Sequence, residues 1–176
     1  MALTSSNVRV GVSGEISVAP TGTTAPTSAA GTLTGFVGLG YVSEDGLTET
    51  PDRSTTDIKA WQNGAVVRTT IDDAKISYKF TLIETSVDTV EFAYGATVTQ
   101  SASEGTYTIS AASTGGRKSF VFDIIDGANL KRIYIAEGEL SERGDTVYAN
   151  GEAVGYECTV VAYTDPVVFD TALKTP

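Results

Sequence analysis

The chain has 176 residues, of which 22 are acidic and 12 basic, giving a formal net charge of -10. This length suits a single domain with a substantial hydrophobic core. The acidic balance argues against tight DNA binding, because that requires Lys and Arg to neutralise phosphates. There is no His and only one Cys, which excludes His-based catalytic triads, ordinary zinc sites and intrachain disulfides.

Residues 1–35 are predicted to contain an N-terminal strand followed by an arm or loop. The opening sequence has no apolar run behind a basic flank, so a signal peptide is not expected. Residues 19–35 (APTGTTAPTSAAGTLTG) are low in charge and rich in Thr, Ala, Pro and Gly. Such a composition buries little surface and favours an extended loop or arm. No segment of the chain approaches the ~20 apolar residues that a membrane-spanning helix needs.

The most informative stretch is residues 40–68, GYVSEDGLTETPDRSTTDIKAWQNGAVVR. The turn dipeptides Asp45-Gly46 and Asn63-Gly64 bracket a long polar segment that ends near the only tryptophan, Trp61. Long loops in compact domains tend to be either functional or disordered. Trp61 favours order, because ordering a large aromatic is favourable only if it becomes buried. The segment between the two dipeptides is therefore predicted to form one long, ordered loop.

Alternating apolar and polar residues predict the strands that form the core. In residues 74–83 (AKISYKFTLI), Ile76, Tyr78, Phe80 and Leu82 share one face, as expected for a half-buried strand. Residues 152–163 show the same period, and Cys158 in that run is interpreted as a small core hydrophobe.

Two dipeptides indicate hairpin turns in the second half of the chain. Asp126-Gly127 separates the strand-like runs at 117–125 and 130–136, and Asn150-Gly151 is predicted to join a strand at 146–149 to the one that begins near Glu152. Asp-Gly and Asn-Gly tolerate the positive φ angles of type I′ turns.

One short helix is predicted at residues 86–94. Ser86 suits the N-cap, Asp88 and Glu91 lie near the positive end of the dipole, and Gly95 suits the stop. The segment 165–176 is partly apolar and is predicted to be a C-terminal arm. The alternative that it is the last strand of its own domain stays open.

No pattern of catalytic or metal-binding residues is convincing. Asp126-Gly127 resembles a calcium loop, but Phe122 and Ile124 stand where oxygen ligands are required. Carboxylate pairs suited to glycoside hydrolysis carry almost no signal among 22 acidic residues. The glycines at 38 and 40 and at 115–116 do not precede a helix, unlike phosphate-binding loops. The sequence therefore predicts a protein that is not an enzyme and has no cofactor.

The run Tyr41–Arg68, with the N-terminal VRVGVSGEISVAPTGTTAPT and the later YKFTLIET and VDTVEFAYG, resembles the major tail protein of long, non-contractile phage tails. The likeness is strongest to phages of actinobacteria. It implies a mostly β fold, a sandwich or barrel with one short helix, a long inter-ring loop at residues 44–62 and extended terminal arms. It also implies six-membered rings that stack into a hollow tube, with strands of all subunits forming one inner barrel.

The resemblance further implies partners and contact residues. The partners are further copies of the chain, a tape-measure protein in the lumen, tail terminator and tail-tip proteins, and double-stranded DNA that passes through without specific binding. No membrane is involved, and assembly would take place in the host cytoplasm. The residues implied in inter-ring contacts are Glu44, Asp45, Glu49, Asp52, Arg53, Asp57, Lys59 and, as a buried anchor at the base of the loop, Trp61. Trp61 as core of its own subunit remains an alternative.

The charge has a physical role in this interpretation. Six subunits would carry about -60 per ring, and an acidic lumen repels DNA that carries one charge per ~1.7 Å. Two other functions stay open at this stage. One is a β-sandwich carbohydrate-binding or adhesion module, which usually exposes an aromatic platform. The other is a β-sandwich hydrolase that uses carboxylates.

Overall fold

The computed structural model describes residue 3 and residues 5–174 of the chain. The described part contains one α-helix, two 3₁₀ turns at Ser5–Asn7 and Thr171–Leu173, and ten β-strands. The strands, in chain order, are β1 Ser13–Pro20, β2 Val37–Gly38, β3 Val42–Lys59, β4 Val66–Leu82, β5 Thr99–Gln100, β6 Gly105–Thr106, β7 Lys118–Asp126, β8 Asn129–Arg143, β9 Tyr156–Ala162 and β10 Val167–Asp170. The prediction of a mostly β fold with one short helix is confirmed.

Eight strands form one antiparallel sheet in the order β2-β1-β7-β8-β9-β4-β3, with β10 also paired to β8. The small β5–β6 hairpin stands apart from it. The main sheet curls, so that β1 and β3 face each other across a slot floored by Phe122 of β7. The concave face of this curl encloses the hydrophobic core.

Aromatic side chains fill the centre of the core. Tyr78, Phe80, Phe120 and Phe122 are buried and stack or tilt against one another, as between Tyr78 and Phe122 with ring centroids 4.9 Å apart. The alternation predicted for residues 74–83 is confirmed, because Tyr78, Phe80 and Leu82 point into this core. Cys158 is also fully buried, and burial raises the pKa of its thiol to about 12.

The helix α1, Val87–Tyr94, covers one side of the core. The Ser86 side chain accepts a hydrogen bond from the Thr89 backbone N–H, and Gly95 ends the helix in the left-handed conformation. Phe92 packs on both Phe80 and Phe120. The predicted helix and its caps are therefore confirmed.

The hairpin predicted at Asp126-Gly127 is confirmed, because β7 and β8 pair there with Asp126 opposite Asn129. The hairpin predicted at Asn150-Gly151 is wrong. Residues 144–155 form an irregular connection from β8 to β9, and residues 146–149 are not a strand. The positive φ of Gly151 is used within this connection rather than in a two-residue hairpin.

The predicted loop at residues 44–62 is the largest difference from the sequence interpretation. Most of it is β3, which pairs with β4 in a hairpin whose turn lies at residues 60–65. Asp45-Gly46 is a bulge in β3 instead of a turn, with a register shift between Val42 and Leu47. Asn63-Gly64 is the turn, and both residues have positive φ as a type I′ turn requires.

Both terminal segments pack on their own subunit. Residues 21–36 lie over the convex face of the sheet of their own subunit, where Ala29 is buried and Phe36 packs edge-on to Tyr134 at 6.4 Å. At the other end, β10 pairs with β8 of the same chain, so residues 167–170 are the last strand rather than an extended arm. Residues 1, 2 and 4 and residues 175 and 176 of the predicted arms lie outside the described residues.

Candidate assembly surface

The β3–β4 hairpin extends well beyond the sheet. On its outer side β4 pairs with β9 only from Ile76 to Leu82, so the remaining part of the hairpin is a ribbon of two strands. We call residues 52–75 the arm. Nearly all of its side chains are exposed, and only Ala60, at the tip, and Thr70 are partly buried. An isolated two-stranded ribbon of this kind is at best marginally stable in water.

Polar contacts between the two strands hold the arm together. Thr69 Oγ1 donates to Asp57 Oδ1 at 2.7 Å, and Thr56 Oγ1 donates to Asp72 Oδ2 at 2.5 Å. Lys75 Nζ lies 3.7 Å from Asp52 Oδ2, although both groups are exposed and such pairs contribute little. The arm is thus ordered by its own strand pairing, without support from the core.

The arm exposes apolar side chains that its own subunit does not cover. Trp61 lies at the tip rather than the base of this segment and is 98 % exposed, so it is not part of the core of its own subunit. The other large apolar residues exposed on the arm are Ile58, Val66, Val67 and Ile71. Scattered apolar exposure is ordinary on a soluble protein, but a fully exposed Trp beside four other apolar residues on one ribbon indicates a contact surface.

The structure divides the eight predicted contact residues between two places. Asp52, Arg53, Asp57, Lys59 and Trp61 lie on the arm. Glu44 and Asp45, at the bulge of β3, and Glu49, opposite Tyr78, lie on the body of the subunit. The Tyr78 hydroxyl donates a hydrogen bond to Glu49. Burial, the larger cause, and this hydrogen bond both raise the pKa of Tyr78.

Sequence reasoning missed the second half of the arm. Residues 66–73 (VVRTTIDD) show no alternation of apolar and polar residues, because neither face of the ribbon is buried. The alternation that predicts a strand at 74–83 therefore does not extend to them. Their β-branched content, five of eight residues, was the available signal.

Glu44 and Asp45 lie beside a slot between β1 and β3, which we call the β1–β3 slot. The slot is a cavity of about 380 Å³ bounded by residues 11–16, 42–47 and 122–124. Ile16 and Phe122 contribute buried apolar surface, whereas Glu15, Glu44 and Asp45 are exposed carboxylates at its rim. Ser43 also lines it, and within the part of the chain described, its Oγ is the one buried side-chain polar atom without a hydrogen-bond partner.

Both strands that border this slot have backbone edges without a strand partner. The outer edge of β1 is covered only at Ser17 and Val18 by β2, with one further bond from Leu39 N to Ile16 O. β3 is the last strand of the sheet order. Pro51 in β3 fits that position, because proline has no backbone donor and is tolerated on edge strands.

Within residue 3 and residues 5–174, no group of three or more His, Cys, Asp or Glu side chains is arranged to hold a metal ion. The helix in the described range is too short to cross a bilayer, and no described helix is a candidate span.

Comparisons with known proteins place the chain in a family. A search of curated proteins returns no match. Among solved structures, the chain is similar to one from the tail of an empty GTA particle computed with helical refinement in C6 symmetry, with 10 % identity, a TM-score of 0.43, and coverage of 94 % of this chain and 98 % of that one. The family described as "Phage tail tube protein" matches residues 1–170. The chain therefore belongs to the phage tail tube protein family, and is a structural component of the virion tail.

Proposed function

We propose that the chain assembles into hexameric rings that stack, through the arm, into the hollow tail tube that conducts the genome to the host. The observation that carries this proposal is the arm itself, a ribbon of two long strands that exposes apolar side chains and contacts no core of its own. Such a ribbon becomes stable and dry when a neighbouring copy covers it. The six-fold symmetry rests on the resemblance of the sequence to tail tube subunits.

Two unpaired sheet edges support closure into a ring. The exposed edge of β3 and the incompletely covered edge of β1 are different surfaces of one subunit. A contact between two different surfaces is heterologous, and heterologous contacts close into rings when the rotation allows. Joining edges between subunits also removes the aggregation risk that free edges carry.

The remaining partners follow from the same proposal. The tube would hold the tape-measure protein before ejection, meet terminator and tip proteins at its ends, and assemble in the host cytoplasm. The arm carries four acidic and four basic residues, so all ten net negative charges lie on the rest of the chain. An acidic wall would let DNA pass without adhering. The role is structural, and no catalytic step is proposed.

Electron microscopy of the purified full chain at high concentration, beside an arm-deleted variant, tests this function. In the variant, Asp52 and Lys75, which are cross-strand partners, are joined by Asn-Gly in place of residues 53–74. We expect tubes from the natural chain. The variant should unfold cooperatively in urea, lose only the circular dichroism of the removed strands, and form no tubes.

A second variant controls for shortening an exposed hairpin. It replaces residues 101–104 between β5 and β6 with Asn-Gly, because Gln100 and Gly105 are cross-strand partners on another exposed turn. This control should still form tubes. Tubes from the arm-deleted variant would refute stacking through the arm, and a natural chain that never forms rings or tubes would refute the proposed function.

A further inference from the structure

Trp61 needs a partner outside its own subunit. It is the only tryptophan of the chain, it is 98 % exposed, and it stands at the tip of the arm. A large aromatic side chain gains most by leaving water, and its indole N–H is a hydrogen-bond donor that seeks an acceptor when buried. The tip is therefore shaped as the inserting half of a contact.

The β1–β3 slot has the features of the receiving half. Its volume of about 380 Å³ lies within the range of sites that bury ligand-sized groups. It combines an apolar floor with a hydroxyl that lacks a hydrogen-bond partner, Ser43 Oγ. A buried hydroxyl without a partner costs free energy, and an entering donor relieves that cost.

We propose that the tip of the arm docks into the β1–β3 slot of a second copy of the chain, with the Trp61 side chain entering the slot. The inference rests on the proposed function, in which copies stack along the arm, and adds to it the surface that receives the arm. The tip and the slot are different surfaces, so the contact is heterologous and repeats from copy to copy without closing on itself.

Charge complementarity favours this pairing. Lys59 and Arg68 flank Trp61 on the two strands of the tip, and Asp57 is the one acidic residue among residues 57–68. The rim of the slot carries Glu15, Glu44 and Asp45, and no basic residue lines the slot. A cationic tip with an apolar centre thus meets an anionic rim with an apolar floor, the arrangement that selects partners and orients them.

The length of the arm sets the spacing that this contact requires. Beyond the body, β3 runs from Asp52 to Lys59, about 25 Å at roughly 3.3 Å per residue. From the middle of residues 42–47 to Trp61 the chain spans about 16 residues, or roughly 50 Å by the same rise. The contact therefore places the second copy about 50 Å further along the direction of the arm.

This arrangement gives a physical reason for the division of the predicted contact residues. Glu44 and Asp45 are far along β3 from Lys59 and Trp61 within one subunit. In the stacked assembly, the two groups meet because they belong to different copies.

The fluorescence of Trp61 tests the burial of the tip. Since the chain has no other tryptophan, its emission and its quenching by acrylamide report on this residue alone. In the unassembled chain we expect red-shifted emission and strong quenching. On assembly we expect a blue shift and a several-fold loss of quenching. Tubes in which Trp61 stays as quenchable as in the free subunit would overturn the inference while leaving the proposed function intact.

Disulfide trapping tests the receiving surface. Gln62→Cys at the tip combined with Glu44→Cys at the slot should give disulfide-linked ladders on oxidation, including in concentrated solutions that hold short oligomers only. Gln62→Cys combined with Glu104→Cys, an exposed site on the β5–β6 turn, is the matched control. Cys158 does not interfere because it is buried. Ladders from the control pair equal to those from the slot pair would overturn the slot as the receiving surface.

Charge reversal provides a third, independent readout. Lys59→Glu should raise the concentration needed for assembly several-fold, and combining it with Glu44→Lys and Asp45→Lys should restore much of the loss. All three positions are exposed, so the fold is expected to be kept. Failure of the combined variant to improve on Lys59→Glu would contradict the proposed pairing.

Discussion

Phe80 shows how a single residue can decide the stability of this fold. It is 2 % exposed, and its ring centroid lies 6.2 Å from that of Phe92 on α1 and 5.9 Å from that of Phe122 on β7. Phe80, on β4, thereby connects α1 with β7, a strand that is not adjacent to β4 in the sheet. Loss of this ring leaves a cavity that surrounding strands cannot fill without breaking their pairing.

We expect Phe80→Ala to lower the free energy of unfolding by about 3–5 kcal/mol. Urea denaturation of the unassembled chain measures this change. The adjacent Lys79→Ala, on the opposite and exposed face of β4, is the control and should cost under about 1 kcal/mol, since it removes only a surface ion pair with Glu157. Similar losses for both variants would contradict the assignment of the two faces.

Cys158 illustrates how burial determines the chemistry of a side chain. The thiol is enclosed by the core, and desolvation raises its pKa to about 12. A raised pKa in the folded chain means that folding favours the protonated thiol. The stability from this preference is present below the ordinary pKa near 9 and is lost as the pH rises towards 12.

We expect Cys158 to react with a thiol reagent at pH 8 at least ~100-fold more slowly in the folded chain than in urea, because the thiolate is the reactive form. An introduced Ser103→Cys on the exposed β5–β6 turn should react rapidly in both states. Equal rates for Cys158 in the folded and unfolded chain would show that the core opens readily. Between pH 9 and 12, the natural chain should also lose stability relative to a Cys158→Ala variant.

At the scale of elements, the segment 21–36 depends on one arginine. The Arg132 guanidinium, 6 % exposed as a residue, donates to both carboxylate oxygens of Asp123 at 2.7 Å. Its remaining nitrogen donates to the backbone carbonyls of Ser28 and Gly31. The hydrogen bonds to Asp123 raise the pKa of Arg132. A polar segment that buries little apolar surface is thus fixed to the sheet by hydrogen bonds to a charged group.

Arg132→Met should cost about 2–4 kcal/mol, somewhat below a fully buried pair because Asp123 keeps some exposure. We expect limited digestion with a non-specific protease to cut first within residues 21–36 of this variant. Adding Asp123→Asn should recover part of the stability, because no unpaired carboxylate then remains. It should not restore the protection of the segment. Protection that is unchanged in Arg132→Met would show that apolar contacts alone hold residues 21–36.

The elements that could be predicted from sequence are those with one buried face. The alternation in residues 74–83 reports the core directly, and the caps of α1 are local hydrogen bonds that short-range sequence specifies. The arm could not be predicted as two strands because both of its faces are exposed. The outer part of β3 therefore shows no alternation of apolar and polar residues. Asp45-Gly46 was predicted to be a turn and is a bulge. A positive φ at glycine suits either one, so the dipeptide alone does not distinguish them.

The contact residues show the same limit. The resemblance to tail tube subunits implied eight contact residues in one segment. The sequence could not show that these residues fall on two separate surfaces, because that depends on how far β3 continues beyond the sheet. Trp61 was expected to be buried, and in the single subunit it is exposed. A residue whose partner belongs to another chain cannot be located from the physics of its own chain alone.

At the scale of the whole molecule, charge opposes assembly. Each subunit carries a formal charge of -10, all of it outside the arm, so stacking brings like-charged bodies together. The opposing electrostatic attraction between the tip and the slot comes from exposed pairs, each worth about 0–1 kcal/mol. Because repulsion acts between whole subunits and the attraction involves a few side chains, we infer that repulsion dominates at low ionic strength.

Salt should therefore promote assembly of the natural chain. Raising the ionic strength from about 0.05 to about 0.5 M shortens the screening length to a few ångströms. The repulsion between subunit bodies becomes weaker, whereas the burial of apolar side chains at the tip changes little. We expect the concentration at which tubes appear, followed by sedimentation, to fall several-fold. Lys59→Glu, which adds to the repulsion, should need more protein at low salt and approach the natural chain at high salt. A critical concentration that rises with salt would instead show that the ionic contacts of the tip outweigh the net charge of the body.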